Sequence, residues 1–89
     1  MICHVFISGF VQGVGFRQFI KWSARKIGLV GWVKNLSDNR VEAIFSGSQD
    51  QVEKMISICR KGPFLSEVKD VQVNFEDKEI ACNGFDIIS

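Results

Sequence analysis

The sequence of 89 residues has one histidine, one proline and three cysteines, and its charges almost cancel. Eleven Lys and Arg side chains are balanced by ten Asp and Glu side chains, which leaves a formal net charge of +1. A chain so nearly neutral has no broad positive field for a nucleic acid or an anionic membrane surface. We therefore expect neither nucleic-acid nor membrane partners, and any recognition of an anion must be local.

Cysteine is scarce, and its three copies are scattered at positions 3, 59 and 82 without a C-x-x-C pair. An odd number of distant thiols predicts free cysteines, which persist in the reducing cytosol. The N-terminus lacks a basic stretch followed by an apolar run, and no apolar segment reaches the roughly 20 residues that span a bilayer. We therefore expect a cytoplasmic protein.

Metal ligands are equally sparse, because the one histidine, His4, has no second ligand beside it in the sequence. A histidine at the start of a strand is more simply explained as part of a sheet than as a ligand of zinc. The sequence therefore predicts no metal site.

Hydrophobic periodicity divides the chain into strands and helices. The predicted strands cover residues 2–10, 29–36, 40–46, 71–75 and 85–88. A first helix is predicted from Phe16, with Gly28 placed to end it. A second helix is predicted after Ser48, which forms a capping-box pattern with Gln51, and it stops before Gly62.

The predicted order, β-α-β-β-α-β with a short strand at the end, is typical of an α+β protein with a ferredoxin-like α/β sandwich. In that fold, two helices pack on one face of a mainly antiparallel sheet. A length of 89 residues supports one core of modest size, so we expect a single domain over residues 1–89. The fold alone does not indicate a function.

The segment from Gly9 to Arg17 joins the first strand to the first helix. Such a loop has backbone N–H groups without intrachain partners, and the helix dipole adds partial positive charge, so an anion is the natural ligand. Gly13 and Gly15 allow the loop to curl around phosphate oxygens, and Arg17 can add a bidentate contact. The alternative is that the glycines only shape a tight connection. The spacing matches neither an ATP loop nor a dinucleotide loop.

Two motifs carry a family resemblance. Residues 11–17, V-Q-G-V-G-F-R, resemble the signature loop of the acylphosphatases, and residues 28–35, G-L-V-G-W-V-K-N, resemble the second motif of that family. Both motifs stand in the expected order and spacing. Residues 41–43, 62–63 and 84–85 also match the family pattern, so the resemblance covers essentially the whole chain.

The resemblance implies an enzyme that hydrolyses the carboxyl–phosphate bond of acyl phosphates without a metal or a cofactor. It assigns Arg17 to the phosphoryl group and Asn35 to the attacking water. It also implies phosphate binding by the loop residues Gln12, Gly13, Val14, Gly15, Phe16 and Arg17. The expected partners are a small acyl phosphate and inorganic phosphate, the latter as product and inhibitor.

The sequence departs from the family pattern at a few positions. Phe10 replaces a basic residue that commonly follows the first glycine, and Gln18 stands where many microbial relatives have an aromatic residue. In the predicted turn, Asn39 and Arg40 replace the usual Asp-Gly pair. These changes affect electrostatics and packing and leave the two central residues in place.

Other functions remain open on the sequence. A regulatory module could keep the phosphate loop, although pure binding needs no residue that positions a water. A cysteine phosphatase would need a thiol in the loop, where none occurs. Trp22 and Trp32 could stack on RNA bases, but no basic stripe accompanies them. Carbamoyl phosphate and an acylated protein side chain are alternative substrates.

The sheet face without helices is predicted to be apolar. Phe6 and Ile44 fall on strand faces opposite Val5 and Ala43, which the helices are expected to cover. The expected state is a monomer, and self-association through the helix-free face is the alternative.

Overall fold

The computed structural model describes residues 1–78 and 80–88, and its elements follow the predicted order. In chain order they are β1 (Ile2–Phe10), α1 (Phe16–Ile27), β2 (Val30–Asn35), β3 (Val41–Ser46), α2 (Gln49–Lys61), β4 (Glu67–Glu76) and β5 (Phe85–Ile87). Neither helix of these residues is long and apolar enough to cross a membrane.

The strands form one sheet in the order β4-β1-β3-β2-β5. β3 pairs antiparallel with β1 on one side and with β2 on the other, and β1 also pairs antiparallel with β4. β5 adds a parallel edge strand to β2. Each helix therefore joins two parallel strands that flank a third, which is the split β-α-β arrangement of ferredoxin-like folds. The predicted fold class is confirmed.

The core lies between the helices and one face of the sheet. Val5 is opposite both Ala43 and Val73, and Ala43 is in turn opposite Val33, so these side chains share a face. The helices cover them with the predicted apolar stripes, whose buried members are Phe16, Ile20 and Ala24 in α1 and Val52, Met55 and Cys59 in α2. Full burial of each large apolar side chain stabilises the fold by about 1.5–3 kcal/mol.

The ends of both helices follow local sequence signals. Gly28 adopts a left-handed conformation, φ 96°, and its N–H and that of Leu29 donate to carbonyls in the last turn of α1. Leu29 is therefore part of the helix terminus, and β2 begins at Val30 rather than at residue 29. At the start of α2, the side chains of Ser48 and Gln51 form both hydrogen bonds of the predicted capping box.

β4 is longer than the hydrophobic alternation predicts, because it begins at Glu67 instead of Val71. Asp70 pairs with Ser8, and past a register shift Val68 and Glu67 pair with Gly9 and Phe10. Val68 is the one apolar side chain among residues 67–70, which is too few for a hydrophobic pattern in the sequence.

The helix-free face of the sheet is more polar than predicted. Glu42 lies 2.6 Å from His4 Nε2 and 3.7 Å from Lys34 Nζ. The guanidinium of Arg40 lies over the ring of Phe6, with 4.9 Å between its carbon and the ring centroid. The apolar side chains of this face are thus interleaved with charged ones. The oligomeric state stays a prediction.

The close approach of β2 to β3 generates the first testable prediction. Gly31 has a φ of 144°, and a Cβ at this position would overlap the carbonyl oxygen of Ile44 on the neighbouring strand. We expect Gly31→Ala to lower the free energy of unfolding by about 3 kcal/mol, since backbone strain alone costs about 1–3 kcal/mol. Urea denaturation followed by circular dichroism measures this loss.

Gly84→Ala is the matched control, because a Cβ there would meet no atom within 4 Å and the backbone is not left-handed. We expect this control to stay within about 0.5 kcal/mol of the parent protein. Equal stability of the two variants would contradict the prediction.

Candidate active site

The loop between β1 and α1 curls because two of its glycines are left-handed. Gly13 has a φ of 76° and Gly15 a φ of 77°, values that residues with a side chain rarely adopt. A Cβ at either position would meet nothing within 4 Å. Both glycines are therefore needed for backbone conformation, and the space beside them is open. Val11 is buried in the core and anchors the start of the loop.

The loop presents a set of backbone N–H groups that are free to bind a ligand. In residues 1–78 and 80–88, no hydrogen bond has the N–H of a residue from 12 to 17 as its donor. The N-cap residue of α1, Gly15, has no side chain to cap the helix, and the first turn contains no acidic residue. The partial positive charge of the helix terminus is thus uncompensated by the chain itself.

A pocket of about 220 Å³ opens beside this loop. Its lining residues are Val11, Gly13, Gly15, Phe16, Arg17, Gln18, Asn35 and Ile87. The pocket brings together the two residues that the motifs single out, Arg17 and Asn35, although they come from different elements. Arg17 is the one charged side chain of this lining within the described chain, so no carboxylate of the lining opposes an anion there.

Asn35 reaches the pocket from the last position of β2. Asn35 pairs with Val41 of β3, and Val41 pairs in turn with Ile7 of β1, so these three residues lie in one row across the sheet. The side chain of Asn35 therefore points to the helix side of the sheet, as those of Ile7 and Val41 do.

The amide oxygen of Asn35 is buried without a hydrogen-bond partner, the one such side-chain atom among the residues that the structure describes. A buried polar atom without a partner costs about 1–3 kcal/mol, and such atoms are rare in native proteins. Because the Asn35 side chain lines the pocket, a water or a ligand there could donate the missing hydrogen bond.

Two of the predicted phosphate-binding residues are not among those that line the pocket. Gln12 directs its side chain away from the loop, where Nε2 donates to the carbonyl oxygens of Leu36 and Arg40, each at 2.9 Å. Val14 packs against the hydrophobic core. Any contact of these two residues with phosphate would come from their backbone N–H groups.

The sequence did not indicate Ile87 as part of the site, and it marked Gln18 only as a departure from the family pattern. Ile87 reaches the pocket because β5 pairs parallel with β2, where Ile87 is opposite Val33. This pairing joins segments far apart in the chain, and no local pattern predicts it. Gln18 follows Arg17 in the first turn of α1, so a helix beginning at Phe16 would have been enough to place it beside the loop.

The remaining nucleophiles and metal ligands lie elsewhere. Burial raises the pKa of the Cys3 thiol to about 11 and also raises the pKa of the Cys59 thiol, and neither residue lines the pocket. Cys82 is partly exposed. No group of three His, Cys, Asp or Glu side chains close enough to hold a metal ion occurs in the described ranges 1–78 and 80–88.

Comparisons with known proteins identify a family for the chain. The family model described as Acylphosphatase matches residues 3–87. An acylphosphatase of Trichormus variabilis is 49% identical over 84 residues, which cover 94% of this chain and 82% of that protein. An acylphosphatase of Roseiflexus is also 49% identical, over 96% of this chain and 91% of that protein. The crystal structure of the acylphosphatase from Bacillus subtilis is 33% identical and superimposes with a TM-score of 0.95, with 100% of both chains covered.

The different burial of the three thiols yields a prediction about their reactivity. Cys3 and Cys59 have no exposed surface, and burial raises both pKa values, so neither forms an accessible thiolate at neutral pH. We expect a disulfide reagent such as DTNB to modify Cys82 alone in the native protein and all three thiols in urea. Counting the released thiolate by absorbance measures this difference.

Cys82→Ser provides the control, and its native form should release almost no thiolate while its unfolded form releases that of two cysteines. Modification of all three thiols at one rate in the native parent protein would show that the core is open and would contradict the prediction.

Proposed function

Because this chain belongs to the acylphosphatase family, we propose that it hydrolyses the carboxyl–phosphate bond of acyl phosphates at the pocket beside the β1–α1 loop. One observation carries the proposal. The charge of Arg17, the unbonded N–H groups of the loop and the partnerless oxygen of Asn35 are gathered at a single pocket of about 220 Å³. These are the groups needed to hold a phosphoryl group and a water side by side.

The phosphoryl group is bound by the loop and by Arg17. The N–H groups of residues 12–17 donate to its oxygens, and the guanidinium adds charge-assisted bonds, which are roughly twice as strong as neutral hydrogen bonds. Phosphoryl transfer passes through a loose transition state whose charge lies on the same oxygens, so fixed donors stabilise the transition state directly. At about 220 Å³ the pocket is smaller than the roughly 300–1,000 Å³ typical of drug-sized ligands. This size suits a phosphoryl group with one water better than a nucleotide.

Asn35 orients the attacking water. Its side-chain amide carries both an acceptor oxygen and a donor NH₂ group, so it can hold a water through either end. A water held by the Asn35 amide beside the phosphoryl group is placed for attack, which favours catalysis over binding of an anion alone. The amide is not a base. The water oxygen therefore forms its bond to phosphorus while its proton passes to a phosphoryl oxygen.

The leaving group needs little help from the protein. As the new P–O bond forms, the bond between phosphorus and the acyl oxygen breaks, and its electron pair leaves on a carboxylate. Carboxylic acids have pKa values of about 4, so the carboxylate departs at neutral pH without a proton donor. An alkyl phosphate would leave as an alkoxide and would need a general acid. The lining residues, with Arg17 as their one ionisable side chain within the described chain, include no such acid.

We also propose that residues 1–89 act as a single domain and as a monomer in the cytoplasm. Three unpaired cysteines, all of them in the described part of the chain, fit a reducing compartment. The charged side chains on the helix-free face disfavour its burial in a dimer, because even a paired charge loses its hydration when it leaves water.

The function is tested by hydrolysis of benzoyl phosphate in excess EDTA. We expect full activity after exhaustive chelation, competitive inhibition by inorganic phosphate, and very slow turnover of an alkyl phosphate monoester under the same conditions. The rate is followed by loss of the acyl phosphate absorbance. A requirement for added Mg²⁺ or Zn²⁺, or equal turnover of the two phosphate classes, would overturn the proposed mechanism.

The two central residues should differ in their kinetic signatures. Arg17→Gln or Arg17→Lys removes a contact that is made both in the bound state and in the transition state, so phosphate inhibition should weaken and kcat should fall. Each charge-assisted hydrogen bond that is lost is worth about 1.5–3 kcal/mol. Asn35→Ala removes a contact to the water, so kcat should fall about 10²-fold while the inhibition constant of phosphate stays near its original value.

Steady-state kinetics with phosphate as inhibitor measure both effects, and circular dichroism confirms that each variant is folded. Near-normal turnover by folded Asn35→Ala would remove the water-positioning role and favour a binding module instead.

A further inference from the structure

The side chain of Gln12 links the phosphate loop to the hairpin that carries Asn35. Its amide Nε2 donates to two carbonyl oxygens, that of Leu36 at 2.9 Å and that of Arg40 at 2.9 Å. Both partners can only accept, so both must bond to the NH₂ end of the amide. The two N–H bonds of this group are therefore fully used, and the side chain is partly buried.

The two carbonyls lie immediately beyond the pair that holds Asn35. Asn35 and Val41 form the pair at the turn end of β2 and β3, and Leu36 and Arg40 lie next to them in the chain, just outside the strands. Beyond this point the chain turns, and the turn is closed by a hydrogen bond of 2.8 Å from Leu36 N–H to the Arg40 carbonyl. Gln12 thus joins the loop to both arms of the hairpin at the end where the site lies.

The side chain of Asn35 has no comparable support of its own. In residues 1–78 and 80–88, no side-chain hydrogen bond involves Asn35, and its amide oxygen is buried without a partner. The position of Asn35 relative to the loop therefore depends on the backbone of β2 and on the contacts that hold this backbone against the loop. The Gln12 amide makes two such contacts, its hydrogen bonds to the carbonyls of Leu36 and Arg40.

We propose that Gln12 is a positioning residue, which sets the distance between the loop that binds the phosphoryl group and the Asn35 amide that orients the water. The inference rests on the proposed role of Asn35. Gln12 acts through its side chain on Asn35, while the phosphoryl group is held by the loop N–H groups and by Arg17. Loss of the Gln12 amide should therefore impair the attack of water more than the binding of phosphate, since a misplacement of about 1 Å can cost about 10²-fold in rate.

The test is a double-mutant cycle with Gln12→Met and Asn35→Ala. Methionine keeps the length of the side chain and removes both donors. We expect Gln12→Met to lower kcat for benzoyl phosphate at least about tenfold while the inhibition constant of phosphate changes less than about threefold. In the Asn35→Ala background the same substitution should change kcat by less than about twofold, because the residue it positions is already gone.

Gln51→Met is the matched control. Gln51 Nε2 also donates to a backbone carbonyl, that of Ile27 at 3.0 Å, but this bond lies at the far end of α1, roughly 15 Å from Arg17. Gln51→Met should lower the unfolding midpoint and leave kcat unchanged. Gln12→Glu is the second variant, since it keeps the shape and replaces the donors by acceptors at neutral pH. It should lower kcat at least as much as Gln12→Met does. Its negative charge near the loop should also weaken phosphate inhibition, so the inhibition constant is judged on Gln12→Met alone.

The outcomes separate the inference from the proposed function. If Asn35→Ala is nearly inactive but Gln12→Met lowers kcat by the same factor in both backgrounds, only the inference about Gln12 is overturned. Weakening of phosphate inhibition in step with kcat would overturn it as well, because Gln12 would then act through the loop. If Asn35→Ala retains its turnover, the water-positioning role fails and the inference fails with it.

Discussion

The pairing of β1 and β2 on opposite sides of β3 is the constraint on which the site depends. Both strands run antiparallel to β3, so they run parallel to each other and end at the same edge of the sheet. β1 continues into the glycine loop there, and β2 ends with Asn35. A slip of one residue between β2 and β3 would turn Asn35 to the helix-free face and bring Lys34 to the helix side. The register that buries Val33 in the core is therefore the same register that places Asn35 in the pocket.

Local sequence signals predicted most of the fold, and the family resemblance singled out Arg17 and Asn35. Long-range contacts account for what the local signals missed. The helix stripes, the Ser48 capping box and the end of α1 at Gly28 depend on neighbouring residues, so a sequence pattern suffices. Pairing between distant strands decides two features that local signals do not: β4 begins as early as Glu67, and Ile87 contributes to the pocket lining. The helix-free face is more polar than expected, because His4, Lys34 and Glu42 meet there from three different strands.

In the proposed mechanism, anion recognition in this nearly neutral protein comes from geometry rather than from net charge. The loop supplies partial charges through its N–H groups, and these need no counter-ion when the site is empty, unlike a cluster of lysines. Arg17 adds one full charge at the helix terminus, where the dipole already favours an anion. Such a site should bind a compact phosphoryl group well and extended polyanions poorly, since only one pocket of about 220 Å³ is served by these donors.

The site also departs from the rules that the rest of the fold obeys. The core buries apolar side chains in regular strands and helices, whereas the loop keeps two left-handed glycines over open space and β2 keeps a buried oxygen without a partner. An apolar residue at the position of Asn35 would remove a cost of about 1–3 kcal/mol, and nothing in the packing of β2 requires an amide there. Local rules tend to fail where function sets the choice of residue. The orphan oxygen of Asn35 therefore argues for a ligand of the pocket independently of the family resemblance, and a water can donate to this oxygen while it keeps its own lone pairs for attack.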